Sequence, residues 1–186
     1  MRIISGTNKG KKLYAPEGMA VRPTSDKIKE AIFNMIGYID EESVILDLFA
    51  GTGNVGIEFL ARGAKECYFV DVSHKSLSFV KKNIEICNFK NKSKIVQSDY
   101  GKAIEKFYSL NQKFDYIFAD PPYDLLCCTN IVEKILQCKL LKTNGLLIIE
   151  SDKTEEVFEN IENEDIKYKE KIYGRTRISM IKLPEE

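Results

Sequence analysis

Apolar runs of strand length alternate with stretches of helical period from residue 44 to residue 149. The predicted strands are residues 44–48, 67–70, 94–97, 116–119 and 146–149. Helical periodicity marks the stretches between them, at residues 55–61, 75–86, 102–109 and 130–140. Repeated alternation of strands and helices is typical of parallel sheets, because each crossover helix returns the chain to the same edge. The pattern therefore predicts an α/β fold with a doubly wound, mostly parallel sheet.

The C-terminal part departs from this alternation. An acidic stretch at residues 154–161 predicts a helix, and two strand-like runs follow it at residues 166–173 and 177–183. Because Gly174 lies between these runs, we expect them to form an antiparallel hairpin at one side of the sheet.

The N-terminal part predicts a hairpin followed by a helix. Residues 2–4 and 12–14 flank a polar turn, so we expect a short β-hairpin. Thr24 or Ser25 can cap the helix that follows. Its apolar positions share one helical stripe that should pack on the sheet, namely Ile28, Ala31, Ile32, Met35 and Ile36. We expect one domain, with a basic hairpin flap at residues 1–23 and the helix and α/β core at residues 24–186.

Composition indicates the cellular compartment and the kind of partner that we expect. The 186 residues are 44% hydrophobic, which is enough for one ordinary globular core. Lysine plus arginine equal aspartate plus glutamate at 28 each, so a nucleic-acid partner would have to bind a local patch. The five cysteines include no C-x-x-C pair, which favours a reduced cytoplasmic protein without a metal site. No apolar run has the length of a signal or membrane segment, so we expect no membrane association.

The flap carries a local excess of positive charge. Its basic residues are Arg2, Lys9, Lys11, Lys12 and Arg22. Such a patch would suit an RNA phosphate backbone. Lysines that protect an edge hairpin against aggregation would produce the same pattern, so the sequence leaves both interpretations open.

The fourth predicted strand ends in the tetrad Asp120-Pro121-Pro122-Tyr123. Two consecutive prolines remove two backbone donors and stop the strand, which places the tetrad at the carboxyl edge of the sheet. Ligands bind at that edge in open α/β sheets. A carboxylate, a proline carbonyl and an aromatic ring together suit a planar amine, because the acceptors meet its N–H bonds while the ring covers its face.

The first predicted strand leads into a glycine loop that satisfies G-x-G-x-x-G, with Asp71 at the end of the next strand. Gly51 and Gly53 allow close backbone approach to a ligand, and Asp71 can accept from both hydroxyls of a ribose. Asp47 precedes the loop and would repel a pyrophosphate, but it suits the ammonium group of S-adenosylmethionine. Asp99 then suits the adenine amine. The loop alone indicates a nucleoside cofactor without specifying which.

These motifs together resemble the Rossmann-like, seven-stranded methyltransferases that use S-adenosylmethionine to methylate exocyclic amines of bases. Within that class the chain resembles the bacterial small-subunit ribosomal RNA guanine-N2 methyltransferase family over nearly its whole length. The segments that carry the resemblance are residues 2–6, 22–26, 30–34, 48–53 and 173–174. Lys27 departs from the family's usual arginine, and the tail residues 174–177 are more basic than expected.

The resemblance implies transfer of a methyl group to N2 of a guanine in 16S ribosomal RNA, guanine 966, within a ribosomal particle and by a monomer. The implied catalytic residues are Asp120, Pro121, Pro122 and Tyr123. The implied cofactor-binding residues are Asp47, Phe49, Gly51, Gly53, Asp71 and Asp99. The implied RNA-binding residues are Arg2, Lys9, Lys11, Lys12, Arg22, Pro23 and Thr24.

Three alternatives remain at this stage. A DNA adenine-N6 methyltransferase uses a similar tetrad, although it usually needs a target-recognition region for which this chain has little room. A glutamine methyltransferase acting on protein would more typically have asparagine in place of Asp120. A nicotinamide-binding oxidoreductase, or a nucleotide-binding module without catalysis, would explain the glycine loop but not the tetrad.

Overall fold

The computed structural model describes residues 1–16, 25–158 and 167–182. Helices within these residues are α1 (Asp26–Ile36), α2 (Asn54–Ala61), α3 (His74–Ile86), α4 (Tyr100–Ser109) and α5 (Cys128–Gln137). The strands are β1 (Val44–Asp47), β2 (Glu66–Asp71), β3 (Ser93–Gln97), β4 (Phe114–Ala119), β5 (Leu141–Asp152), β6 (Lys167–Tyr173) and β7 (Thr176–Lys182). No helix in the described ranges has the length and apolar character needed to cross a bilayer.

The seven strands form one sheet in the order β3-β2-β1-β4-β5-β7-β6. Neighbours among β1 to β5 pair in parallel, whereas β7 runs antiparallel to both β5 and β6. The predicted fold class is confirmed, including the C-terminal hairpin. All five parallel strands therefore end at the same edge, and β1 in the middle has β2 and β4 as direct neighbours.

Helices cover both faces of the sheet, as a doubly wound fold requires. Apolar side chains of α1, α2 and α3 pack against one face, where Ile32, Phe59 and Val80 are fully buried. Those of α4 and α5 pack against the other face, where Ile104 and Ile135 are fully buried. The core is thus divided into two layers, and the sheet edge between them is left for the site.

The N-terminal residues 1–16, called the arm below, form less of a hairpin than predicted. A single antiparallel bridge joins Arg2 to Lys12. Further backbone hydrogen bonds join the two halves of this short hairpin, including those from Ile3 N to the carbonyl of Lys11 over 3.0 Å and from Leu13 N to that of Met1 over 3.2 Å.

The arm also donates hydrogen bonds to carbonyls at the ends of two helices. Thr7 N donates to the carbonyl of Ala61 over 2.7 Å, and the Asn8 amide donates to the carbonyl of Cys87 over 3.0 Å. These helix ends have carbonyls without intrahelical partners, so they satisfy the polar groups of the arm.

Helix α1 buries a different stripe from the predicted one. Ser25 caps it as expected, and Ile28 and Ile32 are buried. Lys29 and Phe33 complete the buried face, whereas Ala31 and Met35 are only partly buried. A lysine at a core position is unfavourable unless oxygen atoms surround its ammonium group, which is the reason that the pattern alone did not predict it.

Oxygen atoms of three residues, one in the arm and two in α2, surround the Lys29 ammonium group. Its Nζ lies 2.6 Å from the carbonyl oxygen of Arg2, 2.8 Å from Asn54 Oδ1 and 3.1 Å from Glu58 Oε2. Burial lowers the pKa of Lys29, and the Glu58 carboxylate opposes that shift. Glu58 is itself fully buried.

Glu58 also holds the arm directly. Its carboxylate accepts hydrogen bonds from the backbone N–H groups of Ile4 at 2.9 Å and Ser5 at 3.0 Å, and from Arg62 Nε at 3.0 Å. A buried ionic network therefore joins the arm to α1 and α2.

The prediction of an acidic helix at residues 154–161 is wrong for residues 154–158, which the structure describes. Residues 153–154 and 157–158 form turns, and residues 159–161 lie outside the described ranges. Asp152 Oδ1 accepts from both the backbone N and Oγ1 of Thr154, at 3.0 and 2.8 Å, which closes a turn in place of a helix. Glu155 has a different use, because its Oε1 accepts from Cys128 N at the start of α5.

Substitution of Glu58 by alanine should lower the free energy of unfolding by about 3–5 kcal/mol, because it leaves the Lys29 charge buried without its partner. Denaturant titration measures this loss. The control is Arg2→Ala, which breaks the exposed ion pair with Asp26 and should cost less than about 1 kcal/mol. Equal effects of the two substitutions would contradict the proposed importance of the buried network.

Candidate active site

A pocket of about 670 Å³ opens at the carboxyl edge of the sheet, where β1, β2 and β4 end. Its volume lies within the usual range for small-molecule sites, roughly 300–1,000 Å³. Its wall includes the predicted cofactor residues Asp47, Phe49, Gly51, Asp71 and Asp99, together with Asp120 and Pro122 of the tetrad. The structure therefore brings residues from four separate parts of the sequence to one cavity.

Asp47 ends β1 and is 1% exposed, although it belongs to the pocket wall. Its Oδ2 accepts a hydrogen bond from Gly56 N over 3.0 Å. Burial raises the pKa of Asp47 to about 7. The Gly56 hydrogen bond opposes that shift, and the nearby Asp71 carboxylate adds to it. Asp47 therefore changes its charge near neutral pH, and a cation in the pocket would favour the ionised form.

The glycine loop has the conformation that its sequence requires. Gly51 and Gly53 have φ angles of 53° and 79°, which lie in the left-handed region that glycine adopts without strain. Gly56 is needed for a different reason. A Cβ atom there would lie 2.4 Å from the ring of Phe69 and 2.9 Å from Asp47 Oδ2, so only glycine lets α2 lie this close to β1 and β2. Gly53 supports the loop without belonging to the pocket wall.

Asp71 fixes the loop to the end of β2. Its Oδ2 accepts from Gly51 N and its Oδ1 from Ser73 N, each over 2.8 Å. Each carboxylate oxygen has a second lone pair, so these bonds leave capacity for two hydroxyl donors of a ligand.

The position of Asp99 differs from the predicted strand end, because it lies two residues after β3. β3 ends at Gln97, and Asp99 is the N-cap of α4, where its Oδ1 accepts from Gly101 N at 2.9 Å and Lys102 N at 3.4 Å. The Asp99 side chain is exposed and borders the pocket. An acidic residue directly before a helix is an N-cap signature, so the sequence contained this signal.

The tetrad divides between the pocket wall and the turn beside it. Asp120 and Pro122 border the pocket, and Asp120 is half-buried. Pro121 is buried, and Tyr123 begins a single 3-10 turn (Tyr123–Leu125); neither belongs to the pocket wall. Leu125 at the end of that turn also borders the pocket, which the sequence did not indicate.

The arm contributes a wall that sequence reasoning missed. Ala15 and Pro16 border the pocket directly after Tyr14. Fully buried Asn83 of α3 fixes this segment, because its Oδ1 accepts from Tyr14 N at 2.7 Å and its Nδ2 donates to Tyr14 O at 3.0 Å. The same Nδ2 donates to the carbonyl of Thr52 in the glycine loop over 2.9 Å. One amide therefore joins the arm to the loop.

The predicted RNA-binding residues differ in their availability. Arg2 pairs with Asp26, and Lys11 Nζ donates to the carbonyl of Ile86 at the end of α3. Lys9 and Lys12 are exposed. The three remaining predicted residues, Arg22, Pro23 and Thr24, lie outside the described residues. Within the described ranges no group of histidine, cysteine and acidic side chains could hold a metal ion.

A seven-stranded sheet of this order with a pocket at its carboxyl edge defines the class of Rossmann-like methyltransferases. The chain belongs to the family described as Conserved hypothetical protein 95, which matches residues 1–182. This match, with the relatives below, confirms the family that the sequence resembles.

Two relatives and one solved structure show the extent of the similarity. The proposed rRNA methyltransferase YlbH of Bacillus subtilis is 35% identical over 182 residues, which cover 98% of each chain. Ribosomal RNA small subunit methyltransferase D of Haemophilus influenzae is 30% identical and matches 82% of this chain and 79% of its own length. The crystal structure of a proposed methylase from Haemophilus influenzae has a TM-score of 0.78 at 28% identity, covering 99% of this chain and 98% of that one.

The raised pKa of Asp47 predicts a pH dependence of stability in the absence of ligand. The folded protein keeps a proton on Asp47 up to about pH 7, whereas the unfolded chain releases it near the ordinary value of 3.8. Protonated Asp47 therefore contributes its full stabilisation of the fold below pH 3.8, and this stabilisation is lost as pH rises through about 7. Asp47→Asn is permanently neutral, so the variant should gain stability relative to wild type from pH 5 to 7 and level off above that.

Thermal unfolding at a series of pH values tests this expectation. The control is Asp40→Asn, which makes the same chemical change at an exposed residue outside the pocket wall. A pH-independent difference for Asp47→Asn would contradict a buried, neutral Asp47.

Proposed function

We propose that this protein transfers a methyl group from S-adenosylmethionine to the exocyclic N2 amine of a guanine in small-subunit ribosomal RNA, guanine 966 by family resemblance. The observation that carries the proposal is the position of Asp120. Asp120 borders the same pocket as the glycine loop, Asp47 and Asp71. A base amine held at Asp120 would thus face a cofactor held by the loop. Relatives named as ribosomal RNA methyltransferases support RNA as the substrate.

S-adenosylmethionine is the cofactor, the methyl donor of the methyltransferases that share this fold. In our assignment Asp71 accepts from the ribose hydroxyls and Asp99 from the adenine amine. Asp47 in its ionised form balances the ammonium group. The Phe49 ring contacts the Tyr100 ring at a centroid distance of 5.4 Å, which gives the pocket an aromatic wall beside Asp99.

When bound, the cofactor supplies an electrophilic methyl group on a sulfonium. Guanine N2 is a weak nucleophile because its lone pair is delocalised into the ring. We propose that the Asp120 carboxylate and the Pro121 carbonyl accept its two N–H bonds and direct the lone pair at the methyl carbon. With the amine held in this way, methyl transfer would form a carbon–nitrogen bond as the carbon–sulfur bond breaks, and the surplus proton of the amine would pass to water. Orientation of this kind can supply up to about 7–11 kcal/mol of the barrier.

Tyr123 and the rigid Pro121-Pro122 segment complete the proposed substrate site. The prolines fix the backbone beside Asp120, so the acceptors are already in place when the base arrives. Tyr123 follows directly, and we propose that its ring stacks on the guanine. A base in an RNA loop is already partly unstacked, which suits a compact enzyme without a separate duplex-opening region.

The test is methyl transfer onto defined acceptors. Undermethylated small ribosomal subunits, the naked RNA, duplex DNA and protein are each incubated with enzyme and labelled cofactor, and the modified nucleoside is identified after digestion. The proposal predicts label in N2-methylguanosine from small-subunit RNA. Label in N6-methyladenosine, or transfer to DNA or protein instead of RNA, would contradict it.

Asp120→Ala should separate chemistry from cofactor binding. We expect transfer to fall by about 10²–10³-fold, because the carboxylate also stabilises positive charge that develops on the amine. Affinity for S-adenosylhomocysteine, measured by calorimetry, should change little, since Asp47 and Asp71 remain. Full activity of the folded variant would overturn the role assigned to Asp120.

The exposed lysines of the arm should contribute to RNA affinity. Replacement of Lys9 and Lys12 by alanine should reduce the slope of log affinity against log salt by about 0.7 for each phosphate that the protein no longer neutralises. Lys106 in the last turn of α4 and Lys113 directly before β4 provide a matched control, because both are exposed and the same charge is removed. Equal slopes for the two double variants would place the RNA on another surface.

A further inference from the structure

Two adjacent leucines next to the tetrad are exposed to solvent. Leu125 is 56% exposed and Leu126 is 73% exposed. Single exposed apolar residues are common on protein surfaces, but in the described part of the chain no other two consecutive large apolar side chains are exposed. Leu125 also borders the pocket. We call Leu125 and Leu126 the leucine pair; its position at the pocket mouth requires an explanation.

The backbone of Leu126 is strained. Its φ and ψ angles of 41° and 48° lie in the left-handed region, which is unfavourable for a bulky side chain. The other non-glycine residues with positive φ in the described ranges are Asn8, Asn88, Asn111, Asn144 and Lys139. Asparagine tolerates this conformation. Leucine adopts it rarely. Lys139 adopts it just after the end of α5, where left-handed residues commonly terminate helices, whereas Leu126 follows only a single 3-10 turn. Backbone strain of this kind concentrates at functional sites.

The segment is also held firmly on both sides. Leu125 N donates to the carbonyl of Pro122 over 3.0 Å, which closes the turn on the rigid Pro-Pro segment. Cys128 N donates to Glu155 Oε1 over 3.0 Å and so fixes the start of α5. The leucine side chains are therefore presented at a defined position relative to Asp120.

We propose that the leucine pair is an apolar wedge that contacts the RNA bases next to the target guanine and fills the space that the guanine leaves. This inference rests on the proposed function, since a base must leave its stack before its amine can reach Asp120. Apolar side chains inserted between bases stabilise such unstacked states in other nucleic-acid complexes. The uncharged leucines suit base faces and not phosphates.

A protein partner fits the leucine pair less well. Stable protein interfaces bury about 800 Å² on each partner, far more than two side chains offer. The pair is instead continuous with the mouth of the pocket that would receive the flipped base.

The test compares Leu126→Ala with wild type on two RNAs of the target sequence. In one RNA the target guanine keeps both stacked neighbours, and in the other an abasic nucleotide replaces one neighbour. We expect kcat/KM to fall by about tenfold on the stacked RNA and clearly less on the abasic RNA, because less unstacking is then needed. Affinity for S-adenosylhomocysteine should not change. Leu110→Ala removes a leucine that is 65% exposed at the end of α4 and should behave as wild type.

Leu126→Gly distinguishes a functional side chain from a structural one. Glycine relieves the left-handed backbone, so the midpoint of thermal unfolding should stay the same or rise while transfer to the stacked RNA falls. If Leu126 were needed only for folding, the substitution would lower both the unfolding midpoint and the transfer.

The outcomes separate this inference from the proposed function. If Leu126→Ala and wild type transfer equally well to the stacked RNA, the wedge is overturned but the proposed function is not. The wedge is also overturned if Leu126→Ala loses transfer on protein-containing subunits but not on naked RNA, because the leucine pair would then contact a ribosomal protein. Absence of transfer by the wild-type protein itself overturns the proposed function and the wedge with it.

Discussion

The pocket at the carboxyl edge of the sheet depends on one buried carboxyl group, that of Asp47. Asp47 ends β1 with almost no exposure, and its hydrogen bond from Gly56 N holds α2 against this strand. That approach requires glycine at position 56, since a side chain there would meet Phe69 and Asp47 itself. The loop between strand and helix must then turn sharply, and Asp71 holds it from the neighbouring strand. The position of the glycine loop in the pocket wall depends on this close contact.

Shared hydrogen bonds join the arm to the pocket wall. Asn83 bonds both to Tyr14 of the arm and to Thr52 of the glycine loop, so neither can shift without the other. Lys29 makes a second connection, because it bonds to the arm and to Asn54, which also borders the pocket. In our account the arm contacts RNA and the loop contacts the cofactor. These shared hydrogen bonds give a physical route by which occupation of one site would favour the other.

The sequence predicted what depends on local patterning and could not predict what depends on distant partners. Strand and helix periods gave the fold class, and strand ends placed Asp47, Asp71 and Asp120 at one edge. Lys29 interrupts an apolar stripe, and only the oxygens that surround it in the fold explain its burial. The strain at Leu126 left no sequence signal, because no local motif demands a left-handed leucine.

A crystal structure with bound S-adenosylhomocysteine tests the central claim most directly, namely that one pocket presents a methyl donor to an amine held at Asp120. Productive transfer needs reacting atoms within about 3–3.5 Å, so the position of the sulfur is decisive. The account predicts ribose hydroxyls on Asp71, the ammonium group near Asp47 and the sulfur facing Asp120. A sulfur that faces away from Asp120, or an adenine seated between Asp47 and Asp120, would contradict it.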